Sequence, residues 1–165
     1  HGPECEDHKL NSIGGYGERG LKIEVNASPD GAQVLEMDSY GFQRLNSDLS
    51  WKRRFIISPG KMRIEDVLQN PATCSAEARF HIPPGCNVSL AGNKASVYEK
   101  ERLAAEISCV DGQPCEMTVK GGATGPGPVF SSEYGKSLPG FSICLKREFR
   151  GRQVYVYEVR WPNAG

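Results

Sequence analysis

The chain holds only three histidines, His1, His8 and His81. His1 stands first, so it offers an α-amine as well as an imidazole nitrogen. A second imidazole, from His8 or His81, would complete a set of three nitrogens that suits copper. Tyr155 or Tyr157 is then available as an axial neighbour. A plainer reading stands beside this one. His81 alternates with Glu77 and Arg79 and can be simply solvated, and His8 is one more polar residue in the acidic stretch from Glu4 to His8.

Other chemistries find less support. Glu4, Glu6, Asp7 and His8 do not follow the fixed oxygen spacing and turn glycine of a calcium loop. There is no C-x-x-C pair for zinc, and Cys109 and Cys115 have no companion ligands. Asp30, Asp38, Asp48, Glu36 and Glu65 are scattered, and G-x-S-x-G is absent, so no catalytic residue is assigned. Gly15, Gly17 and Gly20 match G-x-G-x-x-G, but a dinucleotide fingerprint needs a strand before it and a helix after it. A polar leader precedes these glycines and the strand-like LKIEVNA follows them.

Binding residues are sought among the aromatics. Tyr155, Tyr157 and Trp161 share one face of the last predicted strand, opposite Val154 and Val156. Exposed, that stripe stacks on a sugar or a partner side chain; in a central strand it is core. Arg53 and Arg54 are expected on the exposed side and edge of a strand.

These residues need elements to position them, and period-two alternation dominates the sequence. Strands are predicted at 21–27, 32–38, 51–58, 75–82, 86–91, 94–99, 103–109, 115–120, 140–149 and 153–161. Ser28-Pro29-Asp30-Gly31 makes the first turn, since proline presets φ and glycine accepts positive φ. Ile64, Val67 and Leu68 have helical spacing ended by Asn70-Pro71, which predicts one short helix. Residues 1–20 read as an irregular leader, and GGATGPGP at 121–128 as a long loop. The expected fold is an all-β, mainly antiparallel β-sandwich over 1–165, a single domain with one short helix and disulfides.

Six cysteines in 165 residues point to an oxidising compartment. Cys109 and Cys115 bracket an Asp-Gly turn and are expected to pair. Cys5, Cys74, Cys86 and Cys144 leave three pairings open, with Cys5 tying the leader to the sheet. Each bridge stabilises by roughly 2–4 kcal/mol. Two sequons, Asn26-Ala27-Ser28 and Asn87-Val88-Ser89, sit on polar strand phases and are glycosylation candidates. A start at His1 without a methionine suits a mature secreted protein. The small residues of Trp161-Pro162-Asn163-Ala164-Gly165 also fit a GPI attachment region, or a plain surface tail. Twenty basic residues balance twenty acidic ones, so no strong field draws the chain to nucleic acid. No apolar run is long enough to span a membrane.

The order of an early Cys5, VNASPDGAQVLEMDSYGFQ, CSAEARFHIPPGCNVSLAG, a TGPGP loop and a late Cys144 resembles an uncharacterised family of small secreted fungal and bacterial proteins. The chain lacks that family's basic Arg-Lys-Asn before Cys74, and Cys109 and Cys115 are additional to its pattern. The resemblance implies a secreted all-β fold and supplies no activity. The beginning His1-Gly2 is similar to histidine-brace copper proteins, the lytic polysaccharide monooxygenases. Two functions are therefore expected. The first is a secreted, non-enzymatic binding or assembly protein for a protein or carbohydrate ligand, with no cofactor. The second is a copper-dependent oxidative enzyme built on His1.

Overall fold

The structure, a computed structural model, describes residues 21–27, 31–39, 43, 47–122, 127–133 and 136–162. Eleven strands run through them: β1 (Leu21–Ala27), β2 (Gln33–Ser39), β3 (Ser50–Ser58), β4 (Lys61–Ile82), β5 (Cys86–Ala91), β6 (Lys94–Glu99), β7 (Arg102–Cys109), β8 (Glu116–Gly121), β9 (Val129–Glu133), β10 (Lys136–Pro139) and β11 (Phe141–Arg160). Every pairing is antiparallel. The all-β class expected from alternation is what the chain adopts. The leader of residues 1–20, with Cys5, lies outside the described residues. No helix among the described residues is long and apolar enough to cross a membrane.

β4 and β11 organise the rest. They pair along almost their whole length, from Phe141 opposite Ile82 to Arg160 opposite Lys61. The register slips between Phe149 and Gly151, where the β4 residues from Pro71 to Thr73 bulge against Arg150. Gly151 takes φ +71° there, a conformation that glycine adopts without steric cost. Proline is tolerated at the bulge because no ladder donor is required of it. The buried Asn70 amide ties the corner, accepting the Ala72 N–H at 3.0 Å and donating to Cys74 Sγ at 3.1 Å.

The bulge divides both strands into halves that belong to different layers. The first half of β4 and the second half of β11 sit in the sheet ordered β1-β2-β3-β4-β11-β7-β6-β5. The second half of β4 and the first half of β11 continue with β8. One contact shows that the halves fold over each other. Tyr157 pairs with Ile64, and Phe80 lies sixteen residues further along β4. In a straight strand that is ~50 Å. The Phe80 and Tyr157 rings instead meet edge to face at 6.1 Å. Between the layers lie Ile64, Leu68, Val97, Ile107, Ile143, Leu145, Phe149, Tyr155 and Tyr157.

The predicted helix near Ile64 is corrected to the first half of β4. Ile64, Asp66, Leu68 and Asn70 are the buried residues of that segment. Two polar residues at inward positions hid the period of two, and Ile64 with Leu68 satisfies both periods. Segments 140–149 and 153–161, read as two strands, are halves of β11, and 75–82 is the end of β4. The β9–β10 hairpin falls where no strand was expected before 140.

On the β7–β8 side, the chain crosses from one layer to the other through Val110 to Pro114. Val110 N–H donates to Val156 O at 3.0 Å. Arg147, its side chain 2% exposed, donates to Asp111 Oδ1 at 2.8 Å. The same carboxylate accepts Val156 N–H at 2.7 Å and Gln113 N–H at 2.9 Å. The guanidinium lies over the Tyr155 ring at 4.5 Å and the Tyr157 ring at 5.6 Å. Burial disfavours the Asp111 charge, but Arg147 and the two backbone donors outweigh it and hold the carboxyl below its ordinary range.

Asp111→Asn strands the Arg147 charge in the core. The variant is expected to lose about 3 kcal/mol of stability in urea unfolding at neutral pH. The sign with pH follows from the depressed carboxyl. Its contribution is complete above the unfolded value of about 4 and disappears as pH falls through the folded one. The stability gap between wild type and Asp111→Asn should therefore close in acid, as read from unfolding midpoints across a pH series.

Candidate functional site

On the side of the sandwich away from that crossing, a cleft of about 660 Å³ opens between the layers. Its wall on the large sheet is built by register. β3 turns Trp51, Arg53 and Phe55 to one face, and pairing sets them opposite Leu68, Asp66 and Ile64. Arg53 forks onto Asp66, with Nε to Oδ1 at 2.6 Å and an Nη2 contact to Oδ2 at 2.7 Å. Trp51 Nε1 donates to the same Oδ1 at 3.1 Å. The guanidinium lies 5.0 Å from the Trp51 ring centroid and 5.8 Å from that of Phe55. Burial works against the Arg53 charge, and the hydrogen-bonded Asp66 more than restores it. The result is an aromatic surface whose indole and guanidinium are both oriented by one buried carboxylate.

The opposite wall comes from the second half of β4, with Ala76 and Ala78, together with Phe149. That half of β4 has β11 on one side and no described strand on the other, so the cleft borders a sheet edge.

Arg79 also lines a shallower depression of about 400 Å³, with His81, Lys120, Ser142 and Cys144. Glu77 accepts from Arg79 and from Lys120, the latter at 3.1 Å. The two cations hold the Glu77 carboxyl below its ordinary range. His81 Nδ1 and Ser142 Oγ lie 2.9 Å apart, which orients the ring. Two cations share one carboxylate, leaving an excess of positive charge beside an oriented imidazole.

The residues singled out from the sequence are not gathered into one place. His1 and His8 lie outside the described residues. His81 is in the basic depression. Tyr155 and Tyr157 are core residues rather than an exposed stripe; Tyr155 OH donates to Glu148 O at 3.1 Å, and Tyr157 reaches the cleft wall. Burial pushes both phenols up. Trp161 is 37% exposed, apart from them beyond the end of β11. Asn26 and Asn87 are exposed. Cys74, Cys86, Cys109, Cys115 and Cys144 are thiols in this structure. Arg54 is exposed and pairs with Glu36 at 3.1 Å, whereas Arg53 points inward. The sequence does not show the Trp51–Arg53–Asp66 group, because Asp66 falls in the segment whose spacing predicts a helix. The alternation Trp51-x-Arg53-x-Phe55 was its signal.

A family model described as heparinase II/III-like, C-terminal, matches residues 8–146. Among solved structures, the chain is similar to the heparan sulfate lyase HepC from Pedobacter heparinus, with a TM-score of 0.70 and 14% identity over 88% of this chain and 22% of that one. It is also similar to a heparinase III, the BT4657 gene product, with a TM-score of 0.67 and 12% identity over 87% of this chain and 21% of that one. A further heparinase III gives a TM-score of 0.62 at 10% identity, over 88% of this chain and 22% of that one. At these identities the likeness shows the fold. The chain spans about a fifth of the length of these structures. No curated protein sequence matches it.

These findings correct three expectations. The uncharacterised secreted family is not the chain's family; the SPDG and PPG turns that suggested it are turn chemistry common to β-proteins. The histidine-brace resemblance falls too, and with it copper as cofactor, because the chain's relatives are heparinase-like. The expected secreted binding or assembly role gives way to membership of a heparinase II/III-like C-terminal family and to similarity with structures named as a heparan sulfate lyase and heparinases. With the match running across most of its length, the chain belongs to the heparinase II/III-like C-terminal family.

Proposed function

We propose that this chain is the β-sandwich portion of a polysaccharide lyase and that it holds an acidic saccharide along the interlayer cleft. The observation that carries this reading is the Trp51–Arg53–Asp66 group on an open cleft wall. A sugar ring has an apolar face that packs on an indole. The rim of the same ring carries hydroxyls, and a fixed guanidinium–carboxylate pair offers them donors and acceptors together. Arg79, His81 and Lys120, which adjoin the cleft through Arg79, supply positive charge for a sulfate or carboxylate on the same saccharide. Kinship with heparan sulfate lyases supports the acidic character of the ligand.

The role assigned to the described residues is binding and orientation. Tyr155 and Tyr157 are buried with raised phenol pKa values, which suits them to the core rather than to proton transfer. A secretory location belongs to the same proposal. It is supported by the acidic polysaccharide ligand and by the exposure of both sequon asparagines, Asn26 and Asn87.

Two experiments test the reading. The chain has two tryptophans, so Trp161→Phe leaves Trp51 as sole indole reporter. Titration of that variant with a heparan sulfate oligosaccharide should give a saturable fluorescence change that a neutral glucan does not. Trp51→Ala should weaken binding about tenfold by calorimetry, on the order of 1.4 kcal/mol. No saturable binding by the parent chain would overturn the proposal. The second measurement varies salt. Affinity should fall as salt rises, and the double variant Arg79→Ala, Lys120→Ala should flatten that dependence while leaving the Trp51 signal in place. An unchanged salt slope would remove the basic depression from the site.

A further inference from the structure

We propose that Cys109 and Cys115 form a disulfide that staples the two layers of the sandwich together where the chain crosses from β7 to β8. Register places the two cysteines at that crossing. Cys109 ends β7 and pairs with Tyr157, in the second half of β11. Cys115 precedes Glu116, which pairs with Lys146 in the first half. The two positions on β11 lie on opposite sides of its bulge, so the short loop between the cysteines spans the layers.

That loop is held in a shape that closes the gap. Asp111 is anchored to Arg147 and to Val156 N–H, Val110 is anchored to Val156 O, and Gly112 turns the chain at φ +74°. As a result Cys115 and Arg147 line one depression, and Cys115 is near enough to raise the pKa of the Cys109 thiol. Cys109 is buried and Cys115 is partly exposed. Arg147 adjoins both sulfurs, and its Nε and Nη2 are buried without a nitrogen or oxygen partner. The crossing is thus preorganised in polar contacts and lacks only a covalent tie.

The chemistry is thiol–disulfide exchange with a small-molecule disulfide such as oxidised glutathione. The Cys115 thiolate, the more accessible of the two, attacks one sulfur of that disulfide and releases one glutathione thiolate. Cys109 then gives up its proton to solvent and displaces the second glutathione from Cys115. Two protein thiols are oxidised by two electrons, one small disulfide is reduced to two thiols, and one protein disulfide forms. Burial and the neighbouring Cys115 push the Cys109 thiol up to about 12. The second step is therefore slow in the folded protein and fast while the crossing is still open to water. The staple sits on the β7–β8 side, across β11 from the cleft, so it limits how far the layers can separate.

The test uses the whole chain refolded in an oxidising glutathione buffer, then alkylated in denaturant and cleaved with trypsin, after Arg102 and Lys120, and with an Asp-specific protease before Asp111, so that each resulting peptide carries one of the two cysteines alone. The expected result is that the peptides carrying Cys109 and Cys115 remain joined and unalkylated until reduced. Reduction of the native protein should lower Tm by roughly 5 °C. Cys109→Ser and Cys115→Ser should each abolish the joined peptide and the reduction-dependent shift. Recovery of both wild-type cysteines as alkylated thiols, or of either one joined to another cysteine, overturns the proposal. This readout needs only the wild-type chain, so a variant that fails to fold does not weaken it.

Discussion

Two long antiparallel strands must bend at the same place for this fold to exist. β4 and β11 carry their pairing through a bulge at which the residues from Pro71 to Thr73 oppose Arg150. A straight ladder would leave one face of the pair with nothing to bury against. The bend folds the ladder over, so that Ile143, Leu145 and Phe149 from one half of β11 meet Tyr155 and Tyr157 from the other. Asn70 holds the corner, Gly151 takes the left-handed backbone, and Pro71 occupies a position that owes no donor to the sheet.

The bend creates two flanks, and an ion pair to a buried carboxylate marks each. On the β3–β4 flank, Arg53 is held by Asp66 beside an open cleft. On the β7–β8 flank, Arg147 is held by Asp111 in a closed crossing. Both guanidiniums lie over aromatic rings, which compensates part of their lost hydration. Their surroundings assign them different work. Asp66 also orients the Trp51 indole on the cleft wall, whereas Asp111 binds backbone N–H groups and holds a loop. A buried ion pair by itself contributes little net stability, but it specifies one arrangement strongly, because either partner alone is costly.

Much of the secondary structure was legible as alternation. β1, β2, β3, β5, β6, β7 and β8 fall within a residue or so of their predicted bounds. Alternation is lost where an inward position carries a polar side chain. Asp66 and Asn70 are both buried, so the first half of β4 lost its apolar period and took on a helical one. The same residues build the cleft wall and the corner, and the candidate site vanished from view along with the strand. The aromatic stripe was misplaced for the opposite reason. Tyr155 and Tyr157 alternate as a surface stripe or a core strand would, and only the layer above them decides which.

By itself, the sequence determined that the chain is built of antiparallel strands, because period-two patterning and Gly/Pro turns act over a few neighbouring residues. It also placed Cys109 and Cys115 at the two ends of one short turn. Tertiary structure alone decided which inward polar residues are paired, where a cleft stays open, and that the turn between those cysteines crosses from layer to layer. Those features depend on contacts such as Phe80 with Tyr157 or Arg147 with Asp111, between residues tens of positions apart. No local period encodes such contacts; they arise only when the long ladder bends and brings its two halves together.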